Sequence, residues 1–526
     1  MDGAALETDV LVIGGGLAGS WAAVAAARSG ASVMLADKGY CGTSGVTATA
    51  GPGHWWVAPE SRADAIKSRN ARAFGLADTA WMARVLEKTW QSIPKLRSYY
   101  RFSPDESGAP RYRALRGPEY MRAMRRYAED CGVHILDHSP ALELLLHSDG
   151  RVAGAAGIGR QPYRPWTVRA GAVVLATGGC AFLSHLLGSR TNTGDGYLMA
   201  AEAGARLSGM EFSSYYTVAP AWSTMTRAMS FAFARYFDSA GRQLATPSGP
   251  DVTHAVAAEL LKGPVFASLD RMPVEIRARL PQISPNFLLA FSRAGIDPFA
   301  QKFEITLRAE GTVRGIGGLR IADADCQTDV PGLFAAGDAA TRELIAGATS
   351  GGGAQNSAWA VSSGQWAGEG AARLARTQGR RAGDRAHAIG EAGLRPLSGA
   401  NASTVGETDE VLAVVREEMH PYDKNIFRSR RKLEQSLERL DGTWAFLRAN
   451  LRAAAADSYR TREAAALVAS GRWSYRAALA RAESRGMHVR TDLPQMDARF
   501  QHRLTARGVD LVEIKADAAN DLSQVA

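Results

Sequence analysis

A glycine-rich turn near the start of the chain limits the fold more than any other feature of this sequence. The motif Gly14-x-Gly16-x-x-Gly19 follows a short apolar run, "VLVI", and opens an alanine-rich segment. A second apolar run, Ser32–Ala36, ends at Asp37, at roughly the 20-residue distance from the first glycine that a dinucleotide fold places its acid. A lone motif of this kind is weak, but the complete unit predicts a Rossmann-like βαβ fold that binds a dinucleotide.

Each residue type in this unit has a physical reason to contact a dinucleotide. Gly14 permits the tight turn, Gly16 lets the backbone approach a pyrophosphate, and Gly19 lets helix and strand pack closely. The phosphates would lie at the helix N-terminus, where backbone N–H groups point outward. We expect Asp37 to accept hydrogen bonds from the ribose hydroxyls.

Two later segments identify FAD as the dinucleotide. "AGAVVLATGG" (170–179) is a hydrophobic strand that ends at Thr177, and "CQTDVPGLFAAGDAA" (326–340) is a strand that ends at Asp338. A nicotinamide protein would need only the first unit, whereas an extended FAD would contact all three, with Asp338 near its ribityl chain. FAD is therefore the predicted cofactor.

Composition and charge describe a globular protein of several structural units. With 526 residues, 46% hydrophobic and 22% charged, the chain can bury more than one core. The net charge of +9 is spread along it. Arginines are frequent in the C-terminal part but alternate with acids, which predicts a solvated helical surface and not a nucleic-acid interface.

The four cysteines, Cys41, Cys131, Cys180 and Cys326, lie far apart in the sequence. Without a CxxC pair they offer no zinc or iron–sulfur site and no disulfide framework, so we expect no metal and a cytoplasmic location. The first residues are acidic and polar and lead straight into a strand. Neither a signal peptide nor a membrane span is expected.

Six motifs lie along nearly the whole chain: "GGGLAG", "TSGVTATAG", "TGDGYLMAAEAGARLSGMEF", "GLFAAGD", "GGGAQNSA" and "ESRGMHVRTDLPQMD". In these motifs the chain resembles the flavoprotein subunits of succinate dehydrogenase and fumarate reductase, with L-aspartate oxidase and adenylylsulfate reductase as further relatives. The last motif is the most specific to that family.

The resemblance implies an α/β fold in three parts. A Rossmann-like FAD-binding domain (1–211 and 312–375) is interrupted by an α+β capping domain (212–311), and a C-terminal helical domain follows (376–526). The segment "NIFRSRRKLEQSLERLDGTWAFLRANL" supports the helical part independently, because its apolar residues recur at three- and four-residue spacing. The stretch 379–406, rich in Gly, Ala, Ser and Asn, indicates a linker.

The loop "KGYCGTSGVTATAGPGHWW" bears on how the flavin is held. In covalent members of the family a histidine directly after a serine in this loop is bonded to the flavin, whereas here Ser44 precedes a glycine and the nearest histidine is His54. The resemblance therefore implies non-covalent FAD, contacted by backbone N–H groups and by the hydroxyls of Thr43, Ser44 and Thr47. Cys41 stays open as another attachment point, although a small buried side chain suits it better. The residues expected to bind FAD are Gly14, Gly16, Leu17, Ala18, Gly19, Asp37, Lys38, Thr43, Ser44, Gly45, Thr47, Ala141, Ala176, Thr177, Gly178, Asp195, Gly337, Asp338, Asn356, Ser357 and Ala358.

The substrate site departs from the dicarboxylate-using members of the family. Their two substrate histidines match Tyr216 and Val313 here, and their proton-transferring arginine matches Ala255. The segment in which they carry a carboxylate-binding arginine reads "GATSGGGAQNS" and contains none. Because guanidinium contacts are the main source of dicarboxylate specificity, succinate, fumarate and aspartate are not expected as substrates.

The predicted cap offers other candidates. Its segment "SSYYTVAPAWSTMTRAMSFAFARYFD" is rich in aromatic residues and includes Arg227 and Arg235, which would hold an anionic or polar substrate and stabilise reduced flavin. Tyr215 or Tyr216 would donate a proton or stack on a ring, and His254 is a nearby group that titrates around neutral pH. The candidate catalytic residues are Tyr216, Arg227, Arg235 and His254, and a lid, surface or structural role stays open for each.

These features predict an FAD-dependent oxidoreductase that moves a hydride between the flavin and a small, polar or anionic organic substrate under the cap. Two alternatives stay open. One is a flavin-dependent oxidase or N-oxygenating monooxygenase in a biosynthetic pathway, and the other is an electron-transfer subunit with a degenerate substrate site. The sequence leaves open the electron acceptor, an iron–sulfur protein as partner and a homo-oligomer.

Overall fold

The computed structural model describes residues 5–105, 107–113, 115–224, 229–246, 251–378, 385–397, 405–452 and 457–517. In chain order its strands are β1 (Leu6–Ile13), β2 (Val33–Ala36), β3 (His134–Leu136), β4 (Ala141–Leu146), β5 (Val152–Arg160), β6 (Tyr163–Leu175), β7 (Leu207–Ser208), β8 (Tyr216–Pro220), β9 (Arg235–Phe237), β10 (Val265–Ser268), β11 (Phe303–Ala309), β12 (Gly318–Leu319), β13 (Leu333–Ala335), β14 (His387–Ala388), β15 (Phe427–Arg428), β16 (Val489–Arg490), β17 (Leu504–Arg507) and β18 (Glu513–Ala516). Its helices are α1 (Leu17–Arg28), α2 (Arg62–Asn70), α3 (Thr79–Ser92), α4 (Gly117–Asp130), α5 (Asp195–Glu202), α6 (Asp251–Leu260), α7 (Val274–Ile283), α8 (Pro285–Ala294), α9 (Gly311–Arg314), α10 (Glu343–Ala346), α11 (Gly352–Gln378), α12 (Val405–Met419), α13 (Tyr422–Asn425), α14 (Arg430–Asn450) and α15 (Ser458–Ala480).

An eight-stranded mixed sheet forms the largest layer, in the order β14-β4-β5-β6-β1-β2-β3, with β13 also paired to β6. Strands β13, β6, β1, β2 and β3 run parallel to one another, whereas β5, β4 and β14 add antiparallel pairs. Helices α1 and α11 cover this sheet and approach each other closely. A Cβ at Gly364 or Gly368 would lie 2.4 Å from Ala18 O or 2.2 Å from Ala22 O, so only glycine fits there.

The carboxyl ends of three parallel strands meet at one edge of this sheet. Ile13 of β1 and Ala335 of β13 are both paired with Leu175 at the end of β6. The turns that follow these strands therefore start side by side. In open α/β sheets this is the edge at which ligands bind.

A smaller antiparallel sheet, in the order β8-β11-β10-β9, forms the cap together with α6, α7 and α8. It has its own apolar core, which includes Tyr236, Phe287, Phe291 and Phe303. The fold is thus α/β, with a Rossmann-like FAD-binding domain interrupted by an α+β cap. The exact boundaries predicted for the three parts stay a prediction.

The C-terminal part is helical, with α12, α14 and α15 packed together, as the apolar spacing of α14 predicts. Its ends return to the rest of the molecule, because β14 pairs with β4 and β17 pairs with β7. Of the predicted linker 379–406, residues 385–397 are described and include β14, which pairs with β4, and α12 begins at Val405. Residues 379–384 and 398–404 lie outside the described residues. None of the described helices combines the length and apolarity that a bilayer span requires.

The prediction of a solvated arginine surface is wrong for a group of C-terminal arginines. Arg462 and Arg481 are each 1% exposed or less. Arg462 pairs with Glu202, and Arg481 pairs with Glu211 at 2.7 Å. Buried guanidinium groups need such partners, since an unpaired buried charge is strongly destabilising. The acids lie far away in the sequence, so the charge pattern alone could not reveal them.

Candidate active site

A cavity of about 980 Å³ starts at the carboxyl edge of the large sheet and extends under the cap. Its lining includes most of the residues predicted to bind FAD, namely Gly14, Gly16, Leu17, Ala18, Asp37, Lys38, Ser44, Gly45, Thr47, Ala141, Ala176, Thr177, Gly178, Asp195, Gly337, Asp338, Asn356 and Ser357. Segments from very different positions in the sequence thus meet around one space.

Three residues of that prediction lie outside the lining. Gly19 packs α1 against the sheet, because a Cβ there would meet Gly14 O at 1.7 Å. Thr43 is exposed, and its hydroxyl donates to Tyr40 O at 3.3 Å instead of facing the cavity. Ala358 is fully buried on α11.

The first glycine turn has the geometry that a pyrophosphate site needs. Gly14 has φ +108°, and a Cβ there would lie 2.3 Å from Ala176 O, so glycine is required. At Gly16 a Cβ would meet only Gly45 Cα, at 3.9 Å, so the backbone borders open space. Among the described residues no side chain caps the N-terminus of α1, which leaves its first N–H groups for an anionic ligand.

Asp37 holds the turns around this site together. Its carboxylate accepts from Gly15 N and Gly39 N, both at 2.5 Å, and from Ser44 Oγ at 2.7 Å. Burial raises the pKa of Asp37, while these hydrogen bonds act in the opposite direction. In the described structure Asp37 Oδ2 accepts only from Gly15 N. A carboxylate oxygen has two lone pairs, so Oδ2 can also accept a hydrogen bond from a ribose hydroxyl.

Lys38 ties the cavity to the C-terminal part. Its Nζ lies 2.6 Å from Asp195 and 2.8 Å from Glu463, and it donates to Thr193 Oγ1 at 2.9 Å. Burial lowers the pKa of Lys38, but the two carboxylates outweigh it and hold that pKa above its ordinary value. The ammonium is therefore charged and already paired.

Two unpaired polar atoms show that the residues present fit a polar cofactor. Thr177 Oγ1 and Asn356 Oδ1 are buried and have no hydrogen-bond partner among the described residues. Both residues line the cavity. Since buried polar atoms are normally hydrogen-bonded, these two indicate a ligand with donor groups between the sheet edge and α11.

Neither alternative attachment residue faces this space. His54 is buried without a hydrogen-bond partner among the described residues, its ring is 5.6 Å from that of Tyr120, and burial lowers its pKa to about 3. Cys41 is buried next to Ser20, and burial raises its pKa to about 12. In the described structure the lining contains no histidine and no cysteine. This supports the prediction of non-covalent FAD.

The cap end of the cavity contains several aromatic side chains. Its lining includes Tyr215, Phe231, Phe233 and Tyr236, together with smaller apolar side chains and the threonines Thr217, Thr246 and Thr253. Two arginines, Arg271 and Arg314, also line this end. Neither arginine was predicted from the sequence as a site residue.

Tyr216 lines the cavity but is held by the C-terminal part. It is 2% exposed, and its hydroxyl lies 3.0 Å from both Met419 O and His420 O, to which it can donate. It also accepts from Asn425 Nδ2 at 3.2 Å. Burial raises the pKa of Tyr216. Its hydroxyl is thus committed to structural hydrogen bonds, which contradicts the prediction that it donates a proton to substrate.

Arg235 does not face the cavity, contrary to prediction. It forms an ion pair with Asp270, with Nε 3.0 Å from Oδ1, and donates to Gln243 Oε1 at 3.2 Å. Neighbouring residues on a strand point to opposite faces. The next residue, Tyr236, lines the cavity, so Arg235 lies on the other side of β9.

The other two predicted catalytic residues are not brought to the site either. His254 lies on α6 with its ring 6.5 Å from that of Phe427, and it is not in the lining, although Val252 and Thr253 are. Successive helical residues face different directions, which explains the difference. Arg227 lies outside the described residues.

A buried arginine missed by the sequence analysis shapes the cap end of the site. Arg342 is 0% exposed, pairs with Asp338, and donates to the carbonyls of Thr312, Val313 and Gly315. It thereby fixes the short segment that carries Arg314 into the cavity. No local motif marks such a role, because every partner but Asp338 is distant in sequence.

Comparisons with known proteins agree with this architecture. A model described as "FAD binding domain" matches residues 9–82 and 68–355, and one described as "Fumarate reductase flavoprotein C-term" matches 417–518. A protein of the fumarate reductase (CoM/CoB) from Methanothermobacter marburgensis is 26% identical over 94% of this chain and 96% of that protein. An L-aspartate oxidase from Mycobacterium leprae is 30% identical over 63% of this chain and 68% of that protein.

Solved structures show the same fold. A mutant of FrdA from Escherichia coli quinol fumarate reductase superposes with a TM-score of 0.81 at 21% identity, covering 98% of this chain and 97% of that one. Adenylylsulfate reductase from Archaeoglobus fulgidus superposes with a TM-score of 0.77 at 18% identity, covering 97% of this chain and 96% of that one. The chain therefore belongs to the flavoprotein family of succinate dehydrogenase and fumarate reductase, and it is an FAD-dependent oxidoreductase.

Proposed function

We propose that this oxidoreductase holds FAD non-covalently and exchanges a hydride with a small organic substrate other than succinate, fumarate or aspartate. The observation that carries this proposal is the continuous cavity that joins the dinucleotide turns to an aromatic cap pocket. At the positions of the two substrate histidines of the dicarboxylate-using relatives stand Tyr216, whose hydroxyl is committed elsewhere, and Val313.

Bound FAD supplies the hydride acceptor or donor. The protein's part begins with Thr177 and Asn356, whose unpaired polar atoms border the cofactor space. Phe231, Phe233 and Tyr236 line the cap end and exclude water from it.

Tyr215 is the group we assign to proton transfer. It lines the cavity, is half-buried, and its ring lies 4.9 Å from the guanidinium carbon of Arg314. Its hydroxyl, unlike that of Tyr216, makes no hydrogen bond to another described residue. Replacing Tyr215 with Phe should slow flavin reduction while leaving FAD content unchanged, because only the hydroxyl is removed.

The test is an anaerobic reduction screen of the yellow holoprotein. Small monocarboxylates, amides, amines and alcohols are added singly, next to succinate and L-aspartate, and loss of the oxidised flavin absorbance is followed. Dithionite shows that the flavin can be reduced. The proposal requires at least one compound outside the dicarboxylates to bleach the flavin faster than succinate or aspartate does.

Rapid bleaching by succinate or aspartate would contradict the substrate assignment. Bleaching by dithionite alone would favour the electron-transfer alternative. Oxygen uptake after admission of air, with peroxide or an oxygenated product, would identify the oxidase or monooxygenase alternative instead.

A further inference from the structure

We propose that Arg314 binds a single carboxylate of the substrate, and that the substrate is a monocarboxylate with an apolar, ring-sized body. This inference rests on the proposed function, since it names the substrate class of the same site. It assigns to Arg314 the anion-binding role that two histidines and a different arginine share in the dicarboxylate-using relatives.

The contacts of Arg314 leave its guanidinium ready for an anion. Its side chain is 28% exposed and lines the cavity. It forms a long ion pair with the buried carboxylate of Glu310, whose oxygen lies 3.9 Å from Arg314 Nη1, beyond hydrogen-bond distance. Its Nε is buried without a partner among the described residues, and its two terminal nitrogens make no hydrogen bond to them. A guanidinium of this kind matches the two oxygens of a carboxylate.

The position of Arg314 is fixed before any ligand arrives. Its side chain packs on the ring of Tyr215, with 4.9 Å between the guanidinium carbon and the ring centroid. Its backbone is held through Arg342, which donates to the carbonyls of Val313 and Gly315 on either side. A preorganised cation loses little freedom on binding, so the contact contributes more to affinity.

The other cationic side chains near the cavity are less suited than Arg314 to bind the substrate carboxylate. Lys38 is at the dinucleotide end and pairs with Asp195 and Glu463. Arg342 pairs with Asp338, donates to backbone carbonyls and lies outside the cavity lining. Arg271 lines the cap end but is exposed to solvent, which weakens its interaction with an anion. Arg271 is therefore the alternative carboxylate-binding residue that the experiment must exclude.

The aromatic lining determines the rest of the substrate. Phe231, Phe233 and Tyr236 line the cap end with Arg314, and they offer a second carboxylate no charged partner. Besides Arg314, the charged residue of the described lining at this end is Arg271, whose exposure to solvent weakens its interaction with a second carboxylate. An apolar body bearing one carboxylate instead places its anion at Arg314 and its apolar part against the aromatic side chains.

The experiment measures binding separately from turnover. Perturbation of the visible flavin spectrum of the holoprotein reports the Kd of 3-phenylpropionate and of its neutral analogue, 3-phenylpropanamide. The wild type should prefer the acid by at least about tenfold, the range of a charge-assisted hydrogen-bonded pair. Arg314→Met should abolish that preference. Arg314→Lys should retain part of it, because lysine keeps the positive charge but lacks the planar guanidinium that donates two hydrogen bonds to a carboxylate.

The controls are Arg235→Met, which removes a cation of the same cap outside the cavity, and Arg271→Met. Both should keep the preference for the acid. FAD content and thermal midpoint confirm that each variant is folded. An acid preference that survives Arg314→Met, one lost in Arg271→Met, or no acid preference in the wild type would each overturn the inference. If the acid binds with Arg314-dependent preference but no compound reduces the flavin, the hydride proposal fails and this one stands.

Discussion

Glu343 gives the molecule a pH-dependent stability that a single substitution should remove. The residue begins α10 and is 0% exposed. Ser208 donates to its Oε2 and so does Thr341, the latter at 3.4 Å, whereas Oε1 has no partner in the described part of the chain. Burial and then the neighbouring carboxylate of Glu211 raise the pKa of Glu343 to about 7.

The size and sign of the effect follow from that value. A carboxyl group whose pKa is 4.5 in the unfolded chain and about 7 in the folded protein binds more protons when folded between these pH values. The folded state therefore loses stability as pH rises from below 4.5 through 7. The total loss is about 3 kcal/mol at 1.36 kcal/mol per pKa unit. In Glu343→Gln the side chain is neutral throughout, so this contribution disappears.

Urea unfolding of wild type and Glu343→Gln, followed by tryptophan fluorescence between pH 5 and pH 8, measures the difference. Part of the loss has already occurred at pH 5. Between pH 5 and pH 8 the free energy of unfolding of the variant should therefore rise relative to that of the wild type by about 2–3 kcal/mol, with equal m values. Glu60→Gln, which removes an exposed carboxylate, is the matched control and should follow the wild type. Parallel pH profiles for wild type and Glu343→Gln would refute the reasoning.

Three further predictions concern the cofactor site and its support. Thr177→Val removes the unpaired hydroxyl that lines the cavity and should weaken FAD binding by roughly threefold to tenfold, measured by fluorescence titration of the apoprotein. Arg342→Gln removes the ion pair with Asp338 and the hydrogen bonds to buried carbonyls, and it should lower stability by about 3–5 kcal/mol. Its matched control is Arg373→Gln, which breaks an exposed pair with Asp325 and should cost less than about 1 kcal/mol in the same urea assay. Acid precipitation should release all FAD to the supernatant, since the lining of the described structure contains no histidine or cysteine; a yellow pellet would disprove non-covalent binding.

The parts of the fold that depend on local geometry could be predicted from the sequence. Gly14 is a good example, because its positive φ and its contact with Ala176 O are requirements of the turn itself. The same is true of the second half of β1, residues 10–13, which is buried, apolar and bounded by that turn. The helix α14 followed from its apolar spacing. The three strand ends that form the cofactor edge were recognisable for the same reason.

The cap end of the site could not be predicted in this way. Arg235 and Arg314 are similar as sequence features, but β9 turns the first toward Asp270 and Arg342 fixes the segment that carries the second into the cavity. Tyr216 aligns with a substrate residue of the relatives, yet its hydroxyl is committed to Met419 and His420. These outcomes depend on contacts between distant segments, which a local pattern does not contain.

Anaerobic reoxidation by fumarate tests the central claim most directly. The holoprotein is reduced with one equivalent of dithionite and mixed with fumarate, and the return of oxidised flavin absorbance is recorded. Because Arg271 at the cap end is exposed to solvent and Arg314 is half-buried, we expect this end to bind one carboxylate firmly and a second one weakly. We therefore predict that fumarate leaves the flavin reduced, whereas ferricyanide, the positive control, reoxidises it. Rapid, saturable reoxidation by fumarate would contradict the account.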